Sequence, residues 1–521
     1  FEWVVYPEGN GNSVGLTITI DDEGYLYTAG KFSDTINFGG YELIKSQEHE
    51  CLEDNYFGKF DSNGQVVWIK SIPRCWWENP KVLYDNNEHI YLCGYFTEEL
   101  DLEDTVLTTL PIIDPPYTYY TTDLFITKFT KDGNLVWVRQ ISNTDPIEGV
   151  WSFTLGFNAD CDMEGNLYLQ GRYDGFITYE PDYSFPVSNN TNYLLKISPE
   201  GELLWNSLNP QIRIWDIACD NNNDVYLTGV KESLAPEDTL FFANDTITDR
   251  GILLKQNSDG NELWGKVLPG GGMGHKLSFN KNNNIYSTVY YNDTANYLTT
   301  TFYPNEMWLN KFNLLGEIIW TRKIINHSKI VSNSKSVFIG SDFSDTTIIG
   351  NDTLIPLNNS PDIYILKINS EGEYQWTKTA GGTSSDVAFD LVIDNKENVF
   401  FTGWINNNVW FDDINISSIG SSTYIAKIDT VLVTKTNLLL YKDKILLYPN
   451  PTNNQINIEF ATQLVGSINF YDLTGKKVIS TSISGENKKI INVSELKSGM
   501  YFLEIVNKNT NENTTYKIIK N

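Results

Sequence analysis

Histidine, cysteine and methionine are scarce in this chain. Its 521 residues include four His, five Cys and four Met. The histidines are His49, His89, His275 and His327, and none sits in an HExxH or other zinc-like spacing. No Cys belongs to a CxxC pair, which excludes zinc ribbons and thioredoxin-type redox motifs. No apolar run reaches ~18 residues, which excludes a membrane-spanning helix. No G-x-S-x-G, Walker or Rossmann loop stands in a convincing strand–helix context. Positive charge is short as well: 38 Lys and Arg face 66 Asp and Glu, a net charge of −28. From Tyr441 onward ten Lys outnumber seven Asp and Glu, giving +3, so the residues before it carry −28 less +3, or −31. So acidic a body repels phosphate backbones and argues against nucleic acid.

The scarce residues still carry some information. Cys93 lies in an apolar, strand-like run and reads as a small core residue. Cys51 and Cys75 flank one hairpin and are the pair suited to a disulfide; Cys161 and Cys219 have no obvious mate. The chain starts at Phe1 rather than Met, and the expectation is an exported protein whose signal has been removed.

What is abundant is repetition. GQVVWIK at Gly64 recurs as GNLVWVR, GELLWNS, GNELWGK, GEIIWTR and GEYQWTK. A Lys stands nine residues before each Trp: Lys59 with Trp68, Lys128 with Trp137, Lys196 with Trp205, Lys255 with Trp264, Lys311 with Trp320 and Lys367 with Trp376. Six copies at 56- to 69-residue intervals make an internal repeat. Two residues after each Lys comes Asp, Asn, Ser or Thr, and three residues later comes Gly. That is a type I turn closed by a left-handed Gly, the turn of a bulged three-residue hairpin. The Lys strand and the Trp strand therefore pair antiparallel.

A second hairpin alternates with the first. DDEGYLYTAG from Asp21 resembles DNNEHIYLCG, DMEGNLYLQG, DNNNDVYLTG and DNKENVFFTG, with aromatics at Tyr27, Tyr91, Tyr168, Tyr226, Tyr286, Phe338 and Phe400. Four strands per repeat and almost no helical periodicity predict an all-β fold, a seven-bladed β-propeller with four-stranded blades. The last Lys strand, around Lys427, has no Trp strand after it, and the first Trp strand, around Trp3, has no Lys strand before it. Residues 1–30 align without a gap to residues 374–403, which sets Trp3 on Trp376. The N-terminal strand is thus predicted to close the last blade beside Lys427. The seven register Trp read as inter-blade packing. Each can bury ~150–250 Å², worth up to roughly 4–6 kcal/mol at ~25 cal/mol per Å² against an extended chain.

The pattern resembles the SBBP-type β-propeller repeat. The elements of that family stand here as DDEGYLYTAG, INFGGYEL and YFGKFDSNGQVVW, and the resemblance covers residues 1 to about 432. It weakens where Val289 replaces a Gly and in the sixth repeat, where the strand slips by one. The G-x-x-x-W element also occurs in quinoprotein propellers, but their eight blades and vicinal Cys pair do not appear here.

From Lys444 the texture changes to KILLYPNPTNNQINIEF, GSINFYDLTGKKVIS, INVSELKSGMYFLEIV and TTYKIIKN. Alternating Ile456, Ile458 and Phe460, and Tyr501, Leu503 and Ile505, predict a small β-sandwich. The domains expected are a propeller over 1–432, a linker over 433–443 and the sandwich over 444–521. The tail resembles the type A C-terminal sorting domain of the type IX secretion system, through Tyr448-Pro449-Asn450-Pro451, the Gly475 turn of YDLTGKKV and Gly499 of LKSGMYFLEI. That resemblance implies the secretion machinery as a partner and the extracellular space or outer-membrane surface as the destination.

The ligand is less legible. In propellers the connections from an outer strand to the next inner strand gather at one face. Those connections here hold Arg74, Trp76, Trp77 and Glu78, then Trp151, then Arg213 and Trp215, then His275. Trp near acids and Arg suits sugar stacking; the other reading is that these Trp cover the core edge. No cofactor and no metal site are predicted. Calcium is the alternative for the DNNND and KNNNN clusters, which lie at turns where Asn and Asp bond their own backbone. The expectation is a monomeric, non-enzymatic module binding glycan or protein. A polysaccharide lyase or hydrolase and an architectural surface role are the alternatives. Paired carboxylates are too common in an acidic chain to nominate a catalytic pair.

Overall fold

The computed structural model describes residues 1–46, 52–72, 80–102, 105–114, 117–143, 154–179, 181, 183–186, 188–232, 239–280, 284–297, 300–326, 329–350, 352–430, 445–448, 452, 454–472, 475–508 and 512–520. They fall into two compact units, Phe1–Thr430 and Val431–Asn521. Nearly all of the structure is β. Among the described residues there is no α-helix, only two short 3-10 turns at Pro269–Gly271 and Leu357–Asn359.

The turn chemistry explains the local structure of the first unit. Its first four-stranded module runs Ser13–Ile20, Leu26–Phe32, Asp54–Phe60 and Val66–Ile72, each strand antiparallel to the next. Between the third and fourth strands, the Gly64 N–H donates to the Asp61 carbonyl at 3.0 Å, and the Gln65 N–H donates to the Asp61 carboxylate at 2.8 Å. The pairing then shifts by one residue between Lys59 and Phe60, which is the hairpin bulge. The same shift follows Lys128, Lys196, Lys255, Lys311 and Lys367. The fixed offset of Lys and Trp in sequence is this turn plus this bulge.

Among the described residues, seven such four-stranded modules follow one another. The first strands of modules two to seven are Lys81–Tyr84, Thr154–Cys161, Ile212–Cys219, Met273–Phe279, Lys329–Ser332 and Val387–Ile393. Each first strand touches that of the next module, and that of module seven touches that of module one. The apolar clusters lie between modules. Tyr91 and Cys93 of module two pack with Leu167 and Leu195 of module three, and Ile18 and Leu26 of module one pack with Phe400 and Ile425 of module seven. The fourth strand of module seven is the N-terminal strand Trp3–Val5, with Trp3 opposite Lys427, Val4 opposite Ala426 and Val5 opposite Ile425.

One feature is absent from the sequence reading. A two-stranded ribbon is inserted between the second and third strands of several modules, such as Thr35–Phe38 with Tyr41–Ile44 in module one. In two places the outer strand of the preceding module pairs with a ribbon, Ile141 with Tyr179 and Ala380 with Phe411, and in a third the short strand Glu8–Gly9 that follows the N-terminal strand does so, Gly9 with Ile36. The last of these joins modules seven and one by the same device as the other two.

The second unit has strands Ile445–Tyr448, Gln455–Tyr471, Lys477–Asn492, Gly499–Asn507 and Glu512–Lys520. The long second strand pairs with the first strand through its beginning and with Gly499–Asn507 through its end. Ile456 and Ile458 from the one part and Ile468 and Phe470 from the other share a single core with Leu503 and Ile505. Tyr448 lies in the first strand opposite Asn457, Gly475 N–H donates to the Asp472 carbonyl at 2.9 Å, and Gly499 opens the fourth strand. Pro449, Asn450 and Pro451 lie outside the described residues, as do Cys51 and Cys75.

Candidate functional site

The repeated residues form a packing layer. Every register Lys lies directly opposite its Trp, from Lys59 with Trp68 to Lys367 with Trp376 and Lys427 with Trp3. The repeat aromatic pairs with the same Lys from the other side, as Tyr27 does with Lys59 and Tyr226 with Lys255. The Trp205 indole N–H donates across the junction to the Ser258 carbonyl at 2.9 Å, and the Lys196 ammonium donates to the same carbonyl at 3.1 Å. A Cβ placed on Gly260, at φ +82°, would stand 3.1 Å from the Trp205 indole, so this turn needs Gly for its backbone and for its neighbour. The recurring Asx positions are structural too. The Asp220 carboxylate accepts from Asn222 N–H and Asp224 N–H and pairs with the Lys255 ammonium at 3.2 Å.

A different set of residues recurs along the cycle of first strands. Thr17, Lys81, Asn158, Asp216, Lys276, Lys329 and Asp390 occupy one register position, two residues before the partner of the repeat aromatic. In five of the modules this side chain ties one first strand to the next. Thr17 accepts from Val82 N–H at 3.3 Å, Asn158 donates to the Trp215 carbonyl at 2.6 Å, and Asp216 accepts from Leu277 N–H at 2.7 Å. Lys329 pairs with Asp390 at 3.6 Å, and Asp390 accepts from Ile18 N–H at 3.0 Å and from the Thr17 hydroxyl at 3.0 Å. Asp160, two residues further along the strand of Asn158, accepts from Cys161 N–H and Cys219 N–H. Lys81 and Lys276 make no side-chain hydrogen bond or ion pair among the described residues.

The electrostatics couple these groups across modules. Burial, then the Lys329 and Lys276 ammoniums, pull the Lys81 amine down to about 7, while Asp390 and Asp216 act against them. Those four residues come from modules that are not neighbours of module two in the cycle. Burial pushes the Asp160 carboxyl up to about 6. Asp390, ahead of the opposing burial and with help from Asp216 and Asp160, holds the Lys329 amine above its ordinary range.

Of the residues nominated from sequence, Arg74, Trp76, Trp77, Glu78 and Trp151 lie outside the described residues. Trp215 and His275 come together. They occupy the bulges of adjacent first strands, one residue before Asp216 and Lys276, with ring centroids 4.6 Å apart. Burial, then the Lys276 charge, lowers the His275 imidazole to about 4. Arg213 lies two residues before Trp215 and is exposed. The central lysines escaped sequence reasoning, yet a signal exists. The position lies ten residues before the repeat aromatic in six modules, as Lys81 does before Tyr91, and nine before Phe338 in the sixth. Thiol chemistry has no support among the described residues: Cys93, Cys161 and Cys219 are free, and burial raises all three thiols. Asp22, Glu23 and Glu88 gather at the surface in a group that could hold a cation. The Lys131 ammonium already reaches all three, at 3.0, 3.3 and 3.1 Å.

Comparison with known proteins gives one relative by sequence and several by structure. The chain is 24% identical over 155 residues to an endo-acting ulvan lyase of Formosa agariphila, covering 29% of this chain and 28% of that protein. The chain thus spans little more than a quarter of that relative. Among solved structures it is similar to PorZ, a surface component of the type IX secretion system of Porphyromonas gingivalis, at 10% identity and a TM-score of 0.21 over 98% of this chain and 100% of that one. It is similar to the WD40 domain of Neurospora crassa Pan2, at 7% identity and a TM-score of 0.33 over 79% and 88% of the two chains. Residues 446–521 match the secretion system C-terminal sorting domain. That match marks the chain for export through the type IX secretion system to the cell surface or the extracellular space.

Proposed function

We propose that residues 1–430 form a seven-bladed β-propeller, closed by the N-terminal strand and displayed outside the cell as a non-enzymatic glycan-binding module. Each four-stranded module is a blade, and the ligand meets the face at which the first strands begin. The observation that carries this reading is the ring pair Trp215–His275 on adjacent blades, with centroids 4.6 Å apart and planes inclined at 46°, and with exposed Arg213 two residues before Trp215. Two adjoining, mutually inclined aromatic rings offer apolar faces against which the C–H groups of a sugar can pack, and the exposed Arg213 supplies donors. The polysaccharide-acting relative favours a glycan over a protein ligand.

Catalysis is the second reading, because Asp160, Asp216 and Asp390 all reach the centre. Each of them already accepts a backbone N–H from a neighbouring strand, which favours a scaffold role over proton transfer. The test is a glycan array with the full chain beside Trp215→Ala and His275→Ala. The reading expects binding by the wild type that both variants lose while keeping their melting temperature. Bond cleavage of a bound polysaccharide would favour the lyase or hydrolase instead.

A further inference from the structure

We infer that the ligand of the central face presents an anionic group, a carboxylate or a sulfate, received by Lys81, Lys276 and Lys329. This deepens the glycan-binding reading and rests on it. The three lysines come from three modules at one register position, on first strands that touch one another in a cycle. The Lys329 side chain keeps 30% of its exposure, so solvent reaches it.

The carboxylates nearby are committed elsewhere. Asp390 holds Ile18 N–H, the Thr17 hydroxyl and Lys329; Asp216 holds Leu277 N–H; Asp160 holds two backbone N–H groups. Lys81 and Lys276 make no ion pair within 4 Å among the described residues, and Asp390 and Asp216 act on Lys81 only from farther away. An ammonium withdrawn from bulk water without a partner is costly, and an entering anion removes that cost. The chain's net charge of −28 disfavours a long polyanion lying across the surface. A single group in the centre lies within the ~8 Å screening length of the lysines and senses them first.

The site also couples to protons. The charged groups around Lys81 are Lys276, Lys329, Asp216 and Asp390; Asp160 acts on Lys329, and His275 stands beside Lys276. With its amine at about 7, Lys81 is largely neutral in alkaline solution. An anion favours the ammonium form, so binding takes up a proton there, and affinity falls towards tenfold per pH unit at most.

The experiment titrates the full chain with sodium glucuronate, sodium sulfate and glucose at constant ionic strength, at pH about 6 and about 8.5. The wild type is compared with Lys81→Met, Lys276→Met and the charge-preserving Lys81→Arg. The expected result is binding of glucuronate, sulfate or both, weaker on the order of tenfold at the higher pH and in each Met variant, and retained in Lys81→Arg. Glucuronate alone identifies a carboxylate ligand, and sulfate alone a sulfate ester. No anion binding by the folded wild type, or binding indifferent to both Met variants, overturns the inference. A neutral glycan lost in Trp215→Ala but not in the Met variants overturns it too, and leaves the glycan-binding reading standing. Anion binding without any glycan binding overturns that reading and keeps the site.

Discussion

The hairpins of module four and module seven do the same work by different means. In module four, Lys255 and Trp264 are opposite one another, the chain turns through Asn257–Gly260, and the Trp264 indole donates to the Leu314 carbonyl of the next module at 3.2 Å. In module seven, Lys427 and Trp3 are opposite one another with no turn between them, and the Trp3 indole nitrogen is buried without an acceptor among the described residues. What module seven loses at the outer strand is offset elsewhere. Glu2 pairs with Lys427 at 2.8 Å, Thr423 N–H donates to the Ser13 hydroxyl at 3.0 Å, and the Tyr56 and Thr423 hydroxyls meet at 2.9 Å. A hairpin tethered by a turn needs little beyond its register; a strand arriving from the other end of the chain pays loop-closure entropy and needs bonds on both flanks.

The comparison is broken most severely by deleting residues 1–6. Module seven then has three strands and an exposed third-strand edge, and the melting temperature of the first compact unit is expected to fall by more than ~10 °C in calorimetry. Trp205→Ala comes next, with an expected loss of about 3–5 kcal/mol in denaturant unfolding. Trp205→Phe and Trp3→Phe sharpen the contrast. The first removes the bond to Ser258 and is expected to lose about 1 kcal/mol, whereas the second has no such bond to lose and is expected to be near neutral.

A subtler effect is a slope in pH at the junction of modules six and seven. Burial, ahead of the nearby Asp362, pushes the Asp386 carboxyl up to about 7, against the pull of the Asn406 N–H. From pH about 4 to about 7 the folded state holds a proton that the unfolded state has released, so stability declines as pH rises through this window. Asp386→Asn is expected to flatten that decline, by at most about 1.4 kcal/mol per pH unit. The smallest contrast is between turns. Gly260→Ala meets both a left-handed backbone and the Trp205 indole, while Gly475→Ala, at φ +81° with open space around it, meets the backbone strain alone. The second is expected to cost about 1 kcal/mol in thermal unfolding, and the first clearly more.

Much of this architecture was written in the sequence because hairpins convert register into spacing. The nine-residue offset of Lys59 and Trp68 is a turn plus a bulge, so it survives wherever the turn does. Trp3 and Lys427 were legible as partners for the same reason, each being half of a pattern whose other half is missing. The inserted ribbons were not legible. Their turns, such as Phe38–Tyr41 and Phe242–Asp245, share only polar or small residues, and their distance from the repeat aromatic varies. The central position was hidden by chemistry rather than by spacing. It holds Thr, Lys, Asn and Asp in turn, because each side chain meets a different neighbour, and a search by residue type does not align them. Trp215 and His275 were legible through their place near a connection, but their ring contact depends on two bulges that no local signal announced.

The most direct measurement is hydrogen–deuterium exchange across the junction that the chain's two distant segments form. The account predicts that amides of residues 2–5 and 425–427 exchange as slowly as those of the Lys255–Trp264 hairpin. Rapid exchange of both segments, in a protein whose other hairpins remain protected, would contradict closure by the N-terminal strand.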